Sequence, residues 1–266
     1  MSDILEELTA ARRRDAALRE AEVPFAEMMR RAKGAAAPRD FARAFQTVAR
    51  DARPNQVRVI AGLKKASPSE GMIRENFHAV ELAKELEAAG ASALSVLCEP
   101  HRFLGGEEYL RAVRSVVDVP ILYKDFLSTR YQVAAARAAG ADAALLIAAV
   151  LDDATLKDLL EFAHGLGLSA LVETHDEEEI ERAVQAGARI VGVNCRNLRN
   201  FSTDVSLLES LVGRIPRPCV RIAESGMHTA EAIRRAKAAG ADGFLVGTAL
   251  MRAERPSEKL REMIEG

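Results

Sequence analysis

The sequence predicts an α/β fold: a (β/α)8 TIM barrel of eight parallel strands, each followed by a helix, with an N-terminal helical extension. One observation is a repeat, Ala-Gly-Ala, that ends a helical pattern and is followed at once by an apolar run, at residues 89–91, 139–141, 186–188 and 239–241. A second is the set of apolar runs between these repeats, which brings the strand count to about eight. A third is the alternation of strand and helix, which gives a parallel sheet with right-handed crossovers. An open, doubly wound sheet is the alternative fold.

Before the repeat begins, residues 3–49 are helical and polar. The apolar positions of this segment are Ile4, Leu5 and Leu8, then Phe25, Met28 and Met29, and finally Phe41, Phe45 and Val48, which predict a further short helix. We therefore divide the chain into an extension, residues 1–50, packed on a catalytic barrel, residues 51–266. The extension is interpreted as a surface cap on the barrel core, and a lid or a support for a substrate loop is the alternative.

The first barrel strand begins at Val57 and runs as far as the lysine pair that starts at Lys64. The sequence Ser-Pro-Ser at residues 67–69 then forces a loop. Because side chains alternate along a strand, Gly62 and Lys64 share one face. A lysine at the end of a buried strand needs water, an anion or a carboxylate as a partner.

The remaining strands also end in polar residues, and in a barrel the carboxyl ends of all strands converge on one mouth. The third strand ends at Lys124, the fifth at Glu173, the sixth at Asn194 and the seventh at Glu224. With Lys64 these side chains form a candidate acid–base cluster, in which mutual pairing keeps lysines and glutamates ionised. The alternative is an ion-pair network that only neutralises the rim of the barrel.

Small residues follow the seventh and eighth strands, as Ser225-Gly226 and Gly247-Thr248. Barrels commonly bind phosphate at these two positions, where backbone N–H groups are available. The alternative is that each glycine only permits a tight turn. No Gly-x-Gly-x-x-Gly follows the first strand, which argues against a dinucleotide site and against the doubly wound sheet.

Composition excludes several classes of protein. Lys and Arg total 37 against 39 Asp and Glu, which is too balanced for a nucleic-acid or membrane partner bound by bulk charge. The cysteines, Cys98, Cys195 and Cys219, are far apart, so we expect neither a zinc site nor a disulfide framework and place the protein in a reducing cytoplasm. The charged N-terminus lacks the apolar core of a signal peptide, and no apolar run could span a bilayer.

Five segments resemble the indole-3-glycerol-phosphate synthase family of tryptophan biosynthesis, and the resemblance covers nearly the whole chain. The segments are Lys-Lys-Ala-Ser-Pro-Ser at 64–69, Lys-Asp-Phe at 124–126, Leu-Val-Glu at 171–173, Asn-Cys-Arg-Asn-Leu at 194–198 and Ile-Ala-Glu-Ser-Gly at 222–226. The resemblance implies a lyase that converts 1-(2-carboxyphenylamino)-1-deoxyribulose 5-phosphate, a small phosphosugar, into indole-3-glycerol phosphate, carbon dioxide and water. It implies no metal and no cofactor. For the assembly we expect a monomer or a weak homodimer.

The resemblance also implies a role for individual residues. Lys124 would be the general acid that protonates the substrate carbonyl, Glu173 would act in the acid–base steps of dehydration, and Lys64 would hold the substrate carboxylate or phosphate and assist proton transfer. The implied substrate-binding residues are Asn194, Glu224, Ser67, Phe103, Phe126 and Arg196, with the two phenylalanines lining the anthranilate pocket. The implied phosphate-binding residues are Ser225, Gly226, Gly247 and Thr248. In physical terms, a lysine among cations and low-dielectric walls loses proton affinity, so we expect Lys124 to donate near neutral pH.

One position departs from the family pattern. The family's first strand normally reads Ala-Glu-x-Lys, whereas this chain has Gly62 in place of the glutamate. Losing a positioned acid–base group typically costs about 10²–10⁴-fold in rate, and the glycine is expected to leave space in the mouth. Three interpretations are open: a synthase with reduced or rearranged catalysis, a deliberate variant of one, or an engineered or diverged barrel catalysing a different proton abstraction with Glu173 as base. A non-catalytic phosphosugar-binding module is a further alternative.

Overall fold

In the computed structural model, which describes residues 4–46, 57–196 and 205–266, eight parallel strands close into a barrel. The strands are β1 (Val59–Leu63), β2 (Ala93–Leu97), β3 (Ile121–Lys124), β4 (Ala143–Ile147), β5 (Ser169–Thr174), β6 (Ile190–Asn194), β7 (Val220–Glu224) and β8 (Gly243–Val246). The sheet closes because β1 pairs with β8, with Val59 opposite Phe244. The predicted (β/α)8 barrel is confirmed, and the doubly wound alternative is wrong because an open sheet would leave these two strands unpaired.

Helices cover the outside of the barrel and form the extension that precedes it. They are α1 (Ile4–Glu22), α2 (Phe25–Gly34), α3 (Ala79–Ala88), α4 (Glu107–Arg114), α5 (Arg130–Ala138), α6 (Asp153–Gly165), α7 (Glu177–Gln185), α8 (Val205–Val212), α9 (Ala230–Ala238), α10 (Thr248–Arg252) and α11 (Pro256–Glu265), with 3-10 turns at Ala42–Phe45 and Ala148–Val150. The repeat glycines end four of these helices with φ between 93° and 105°, at Gly90, Gly140, Gly187 and Gly240. Only glycine adopts this conformation without strain, which explains the repeat.

The N-terminal extension contacts both ends of the barrel. At the base, the ring of Phe45 lies 2.4 Å from where a Cβ on Gly243 would stand, so β8 must begin with glycine there. At the mouth, Leu5 and Leu8 of α1 pack into the same apolar cluster as the barrel interior. The extension thus packs against the barrel and also supplies part of the mouth. The predicted boundary between residues 50 and 51, and the predicted position Val48, lie outside the described residues.

Two carboxylates fasten α1 to the barrel: the buried Asp125 after β3 and the partly buried Glu107 of α4. The guanidinium of Arg12 donates to both oxygens of Asp125 at 2.7–3.0 Å, and the Asp125 side chain is fully buried. Seven residues further along α1, Arg19 donates to Glu107 at 2.5 and 3.1 Å, and the hydroxyl of Tyr123 donates to the same carboxylate at 3.1 Å. Because Asp125 follows Lys124 directly, α1 helps to fix the strand end that carries this lysine.

Replacing Arg12 by alanine is expected to lower the free energy of unfolding by about 3–5 kcal/mol, because it leaves the Asp125 carboxylate buried without its cation. Urea denaturation followed by circular dichroism measures the change. The matched control is Arg30→Ala, since Arg30 pairs with Glu27 on the exposed face of α2 and its loss is expected to change stability little. Equal losses in the two variants would show that the Arg12–Asp125 pair does not anchor α1.

No helix in the part of the chain that the structure describes combines the length and the apolarity that crossing a membrane requires.

Candidate active site

A pocket opens at the carboxyl ends of the barrel strands, and all of the residues singled out from the sequence line it. They are Lys64, Ser67, Phe103, Lys124, Phe126, Glu173, Asn194, Arg196, Glu224, Ser225, Gly226, Gly247 and Thr248, together with Gly62. The parallel register explains this convergence, because each strand delivers its last residues to the same end of the barrel.

An ammonium between two carboxylates forms the centre of the pocket. The Nζ of Lys124 donates to Glu173 Oε2 at 3.2 Å and to Glu224 Oε2 at 3.4 Å, and both glutamate side chains are almost completely buried. Burial lowers the pKa of Lys124, but the attraction of the two carboxylates outweighs burial and raises this pKa above its ordinary value. The expected loss of proton affinity is therefore wrong for Lys124, because its nearest charged neighbours are anions and not cations.

The amide of Asn194 fixes the orientation of the Glu173 carboxylate. Its Nδ2 donates to Glu173 Oε1 at 2.9 Å, while its Oδ1 accepts from the Ser225 hydroxyl at 2.7 Å and from the Arg196 backbone N–H at 3.1 Å. The His175 ring approaches the same Glu173 oxygen at 3.5 Å. Burial raises the pKa of Glu173, but Lys124, His175 and Asn194 together hold that pKa below its ordinary value. Glu173 is therefore held as an ionised carboxylate of fixed orientation.

The second lysine lies towards the ends of β7 and β8. Lys64 Nζ donates to the Thr248 hydroxyl at 2.9 Å. Burial lowers the pKa of Lys64 to about 8, assisted by the positive charges of Arg196 and Lys124. The lowered proton affinity expected for a pocket lysine is thus found at Lys64. An ammonium that lacks a close carboxylate is suited to hold an anion.

Beside Lys64 the chain turns sharply after β7 and after β8. Ser225 and Gly226 both have positive φ, 63° and 70°, and Gly247 immediately precedes α10. A positive φ at a non-glycine residue is unusual and is typical of functional turns. These two turns, the Thr248 hydroxyl and the Lys64 ammonium form the candidate anion seat.

Affinity for inorganic phosphate is expected to fall as the pH rises through about 8, because Lys64 carries its positive charge below its pKa and loses it above. Isothermal titration calorimetry between pH 7 and pH 10 measures this dependence. Lys64→Met is the control, since it removes the titrating charge and retains the second ionisation of phosphate itself. Parallel pH profiles for the two proteins would contradict the assignment of Lys64 to the anion seat.

Gly62 lines the pocket, and the backbone after β8 lies close to where its side chain would begin. A Cβ on Gly62 would lie 3.0 Å from the Gly247 Cα and 3.4 Å from the Val246 carbonyl oxygen. A glutamate at this position would require the end of β8 to move by a few tenths of an ångström.

Apolar side chains form another part of the pocket lining. The rings of Phe103 and Phe126 lie with centroids 6.2 Å apart. The sequence did not predict several further apolar lining residues, among them Ile4, Leu5 and Leu8 of α1, Leu145 and Ile147 of β4, and Leu245 of β8. The apolar spacing in α1 was visible, but nothing in the sequence indicated which end of the barrel it would meet.

The loop after β1 reaches over the pocket and is fastened at several points. It contains a short hairpin in which Ala66–Ser67 pairs with Gly71–Met72. Arg196 donates to the Ser69 hydroxyl at 2.7 Å, and Arg252 pairs with Glu70. Arg196 follows β6, so its hydrogen bond to Ser69 links the end of β6 to the loop after β1.

The fold and the pocket together define a class: a (β/α)8-barrel enzyme with an acid–base cluster beside an anion seat. A sequence model of the indole-3-glycerol phosphate synthase family matches residues 5–263. The chain belongs to this family, as its sequence motifs predicted, and the family makes it a carboxy-lyase of tryptophan biosynthesis.

Relatives named indole-3-glycerol phosphate synthase align with 86–97% of this chain. The indole-3-glycerol phosphate synthase of Micrococcus luteus is 46% identical over 258 residues, which cover 97% of this chain and 96% of that protein. The enzyme of the same name from Campylobacter curvus is 45% identical over 229 residues, 86% of each chain. That of Aliarcobacter butzleri is 40% identical, covering 97% of each.

Solved structures at lower identity show the same fold. The thiamine phosphate pyrophosphorylase of Pyrococcus furiosus matches with a TM-score of 0.59 and 18% identity, over 79% of this chain and 94% of that one. The N-acetylmannosamine-6-phosphate 2-epimerase of Clostridium perfringens also gives 0.59, with 20% identity, over 76% of this chain and 89% of that one. These likenesses support the barrel architecture alone.

Proposed function

We propose that this pocket converts 1-(2-carboxyphenylamino)-1-deoxyribulose 5-phosphate into indole-3-glycerol phosphate, carbon dioxide and water, with Lys124 and Glu173 as the catalytic acid and base. The observation that carries the proposal is the contact of the Lys124 ammonium with Glu173, inside a barrel mouth that also holds the anion seat at Lys64 and Thr248. The family of the chain agrees with this reaction.

Ring closure requires an acid at the carbonyl oxygen of the substrate. Negative charge develops on this oxygen as the aromatic carbon attacks the carbonyl carbon, and a fixed ammonium stabilises it. Lys124 is protonated at neutral pH because the neighbouring Glu173 carboxylate favours the charged form. We assign the first proton transfer to Lys124, after which the aromatic ring recovers its electron pair from the departing carbon dioxide.

Dehydration requires a base at the carbon that loses its proton. Glu173 is suited to this step because it is ionised and its orientation is set by Asn194. The phosphate of the substrate is assigned to the turns at Ser225-Gly226 and Gly247-Thr248, and the aromatic ring to Phe103 and Phe126. Lys64 is assigned to hold the phosphate, or the carboxylate that leaves as carbon dioxide.

Gly62 bears on the rate that this site achieves. The family resemblance implies a glutamate there, and the loss of such a group costs about 10²–10⁴-fold in rate. We therefore infer a synthase with reduced or rearranged catalysis. The comparisons give no support to the alternative of a barrel reworked for a different proton abstraction.

The setting of the enzyme is also proposed here. The cytoplasm is supported by the wide spacing of the three cysteines in the sequence, which does not suit a disulfide framework. We also propose a monomer or weak homodimer that uses no cofactor. The absence of a nucleic-acid partner is supported by the balanced charge.

The test is turnover of the carboxyphenylamino-deoxyribulose phosphate by the purified protein, followed by the fluorescence of the indole product. Product is expected, at a rate that a high enzyme concentration makes measurable. No product at any enzyme concentration, together with binding of phosphate, would favour a non-catalytic phosphosugar-binding module.

A further inference from the structure

The proposed reaction makes a demand on the site that a single lysine does not meet. The carbonyl oxygen of the substrate must receive two protons before it leaves as water, one during ring closure and one during dehydration. Lys124 supplies the first and is then a neutral amine. A second proton must reach the same oxygen while Glu173 stays ionised, because Glu173 is the base that removes the proton from carbon.

Among the described residues that line the pocket, three carry carboxyl groups. Asp125 is held by Arg12 on α1, with both of its oxygens occupied. Glu173 accepts from Lys124 and Asn194 and serves as the base. The remaining carboxyl is that of Glu224, whose Oε2 lies 3.4 Å from Lys124 Nζ. Glycine at residue 62 adds no carboxyl group, and Lys64 after β1 donates to the Thr248 hydroxyl at 2.9 Å and is assigned to the anion.

The surroundings of Glu224 favour its neutral, protonated form. Its Oε1 is buried and has no hydrogen-bond partner within the described part of the chain. Gly192 of β6 makes room for this oxygen, since a Cβ there would stand 2.1 Å from it. An ionised carboxylate with one buried oxygen left unpaired is costly, and a proton removes that cost.

The charges facing Glu224 lead to the same conclusion. They are Lys124 at the end of β3, Glu173 on β5 and the more distant His175 just beyond β5. One ammonium therefore stands between two buried carboxyl groups, and the charge of Glu173 disfavours ionisation of Glu224. Burial and the negative charge of Glu173 raise the pKa of Glu224 well above its ordinary value, against the attraction of Lys124.

We infer that Glu224 is the proton reservoir for Lys124, handing a proton to its nitrogen between ring closure and dehydration. This inference rests on the proposed function. The O–H bond of Glu224 breaks and an N–H bond forms on Lys124, which becomes an ammonium again. Lys124 then gives this second proton to the hydroxyl group, and the C–O bond breaks with its electron pair. As water leaves, the nitrogen lone pair forms C=N⁺ to the aromatic ring, and a ring electron pair forms a C=C bond to the carbon that carried the hydroxyl.

The protons balance over one turnover. Glu173 takes the proton from carbon, the C–H electron pair forms the indole double bond, and the nitrogen recovers its lone pair. Two protons have then left Lys124 and Glu224, and one has arrived on Glu173. The missing proton equals the one consumed when a carboxylate departs as neutral carbon dioxide, so one proton from solvent and one internal transfer reset the site.

The first test separates the two halves of the reaction. In single-turnover rapid-quench experiments with Glu224→Gln, release of labelled carbon dioxide is expected to stay near the wild-type rate. Formation of the indole chromophore is expected to slow by about 10²-fold, so that the ring-closed alcohol accumulates. The control Glu258→Gln, an exposed change on α11, is expected to alter neither rate. If both steps slow in proportion, or neither slows, the inference is overturned and Glu224 only binds or positions the substrate.

The second test needs no variant. In wild-type protein labelled with ¹³C at the glutamate carboxyl groups, one carboxyl resonance is expected to report a neutral acid at pH 7. Finding every glutamate ionised at this pH overturns the inference. A wild-type protein that forms no indole product would instead reject the proposed function, so the two failures are distinguishable.

Discussion

Replacing Lys124 by methionine is expected to lower kcat for indole formation by about 10²–10⁴-fold. Methionine keeps the length of the side chain and removes the ammonium that stabilises the developing oxyanion. The substrate still meets Lys64 and the turns after β7 and β8, so KM is expected to change less than kcat. Steady-state fluorescence assays of the purified variant measure both constants.

The control for this change is made at Lys65, which follows Lys64 after the first strand. Lys65 lies outside the pocket lining, so Lys65→Met is expected to leave kcat close to the wild-type value. The Lys124 variant also leaves Glu173 and Glu224 without the cation between them, and a denaturation curve establishes that it is folded. A folded Lys124→Met protein with wild-type kcat would remove this residue from the mechanism.

Replacing Glu173 by glutamine is expected to lower kcat by a similar factor, about 10²–10⁴-fold, because the amide occupies the same volume and cannot accept a proton from carbon. In the wild-type protein Lys124, His175 and Asn194 keep the pKa of Glu173 below its ordinary value. The base is therefore expected to remain ionised as the pH falls, until the pH approaches this lowered pKa.

Two comparisons test this role of Glu173. Glu181→Gln makes the same chemical change at an exposed position on α7 and is expected to leave kcat unaltered. In the free enzyme, the pH dependence of kcat/KM should show no loss of the base at the ordinary pKa of a glutamate. Retention of full activity by Glu173→Gln would show that another group removes the proton.

Local signals in the sequence were sufficient for the barrel and for most of the pocket. The glycine that ends each helix, as at Gly140, and the polar residue that ends each strand, as at Lys124, are adjacent in the chain to the elements they define. The parallel topology then brings the strand ends together whatever lies between them. These local patterns predicted the strand ends at the mouth of the barrel, whereas the family resemblance implied Ser67, Phe103, Phe126 and Arg196.

Contacts between distant segments could not be predicted in the same way. Arg12 meets Asp125 across 113 residues, and no periodicity in either segment indicates this partner. The place of Leu8 at the mouth depends on the same docking of α1. The direction of the pKa shift of Lys124 was predicted wrongly for a related reason, because this pKa depends on which of several pocket side chains lies nearest. The position of Gly62 against Gly247 also depends on strand register, which composition does not reveal.

A crystal structure with indole-3-glycerol phosphate bound tests the central claim most directly, namely that Lys124 and Glu173 face one cup with the anion seat beside them. We predict the phosphate on the turns at Gly226 and Gly247, within hydrogen-bond distance of Thr248. The indole ring is predicted to lie against the apolar wall at Phe126, within reach of Lys124 and Glu173. A phosphate bound elsewhere on the barrel, or an indole ring remote from both catalytic side chains, would contradict the account.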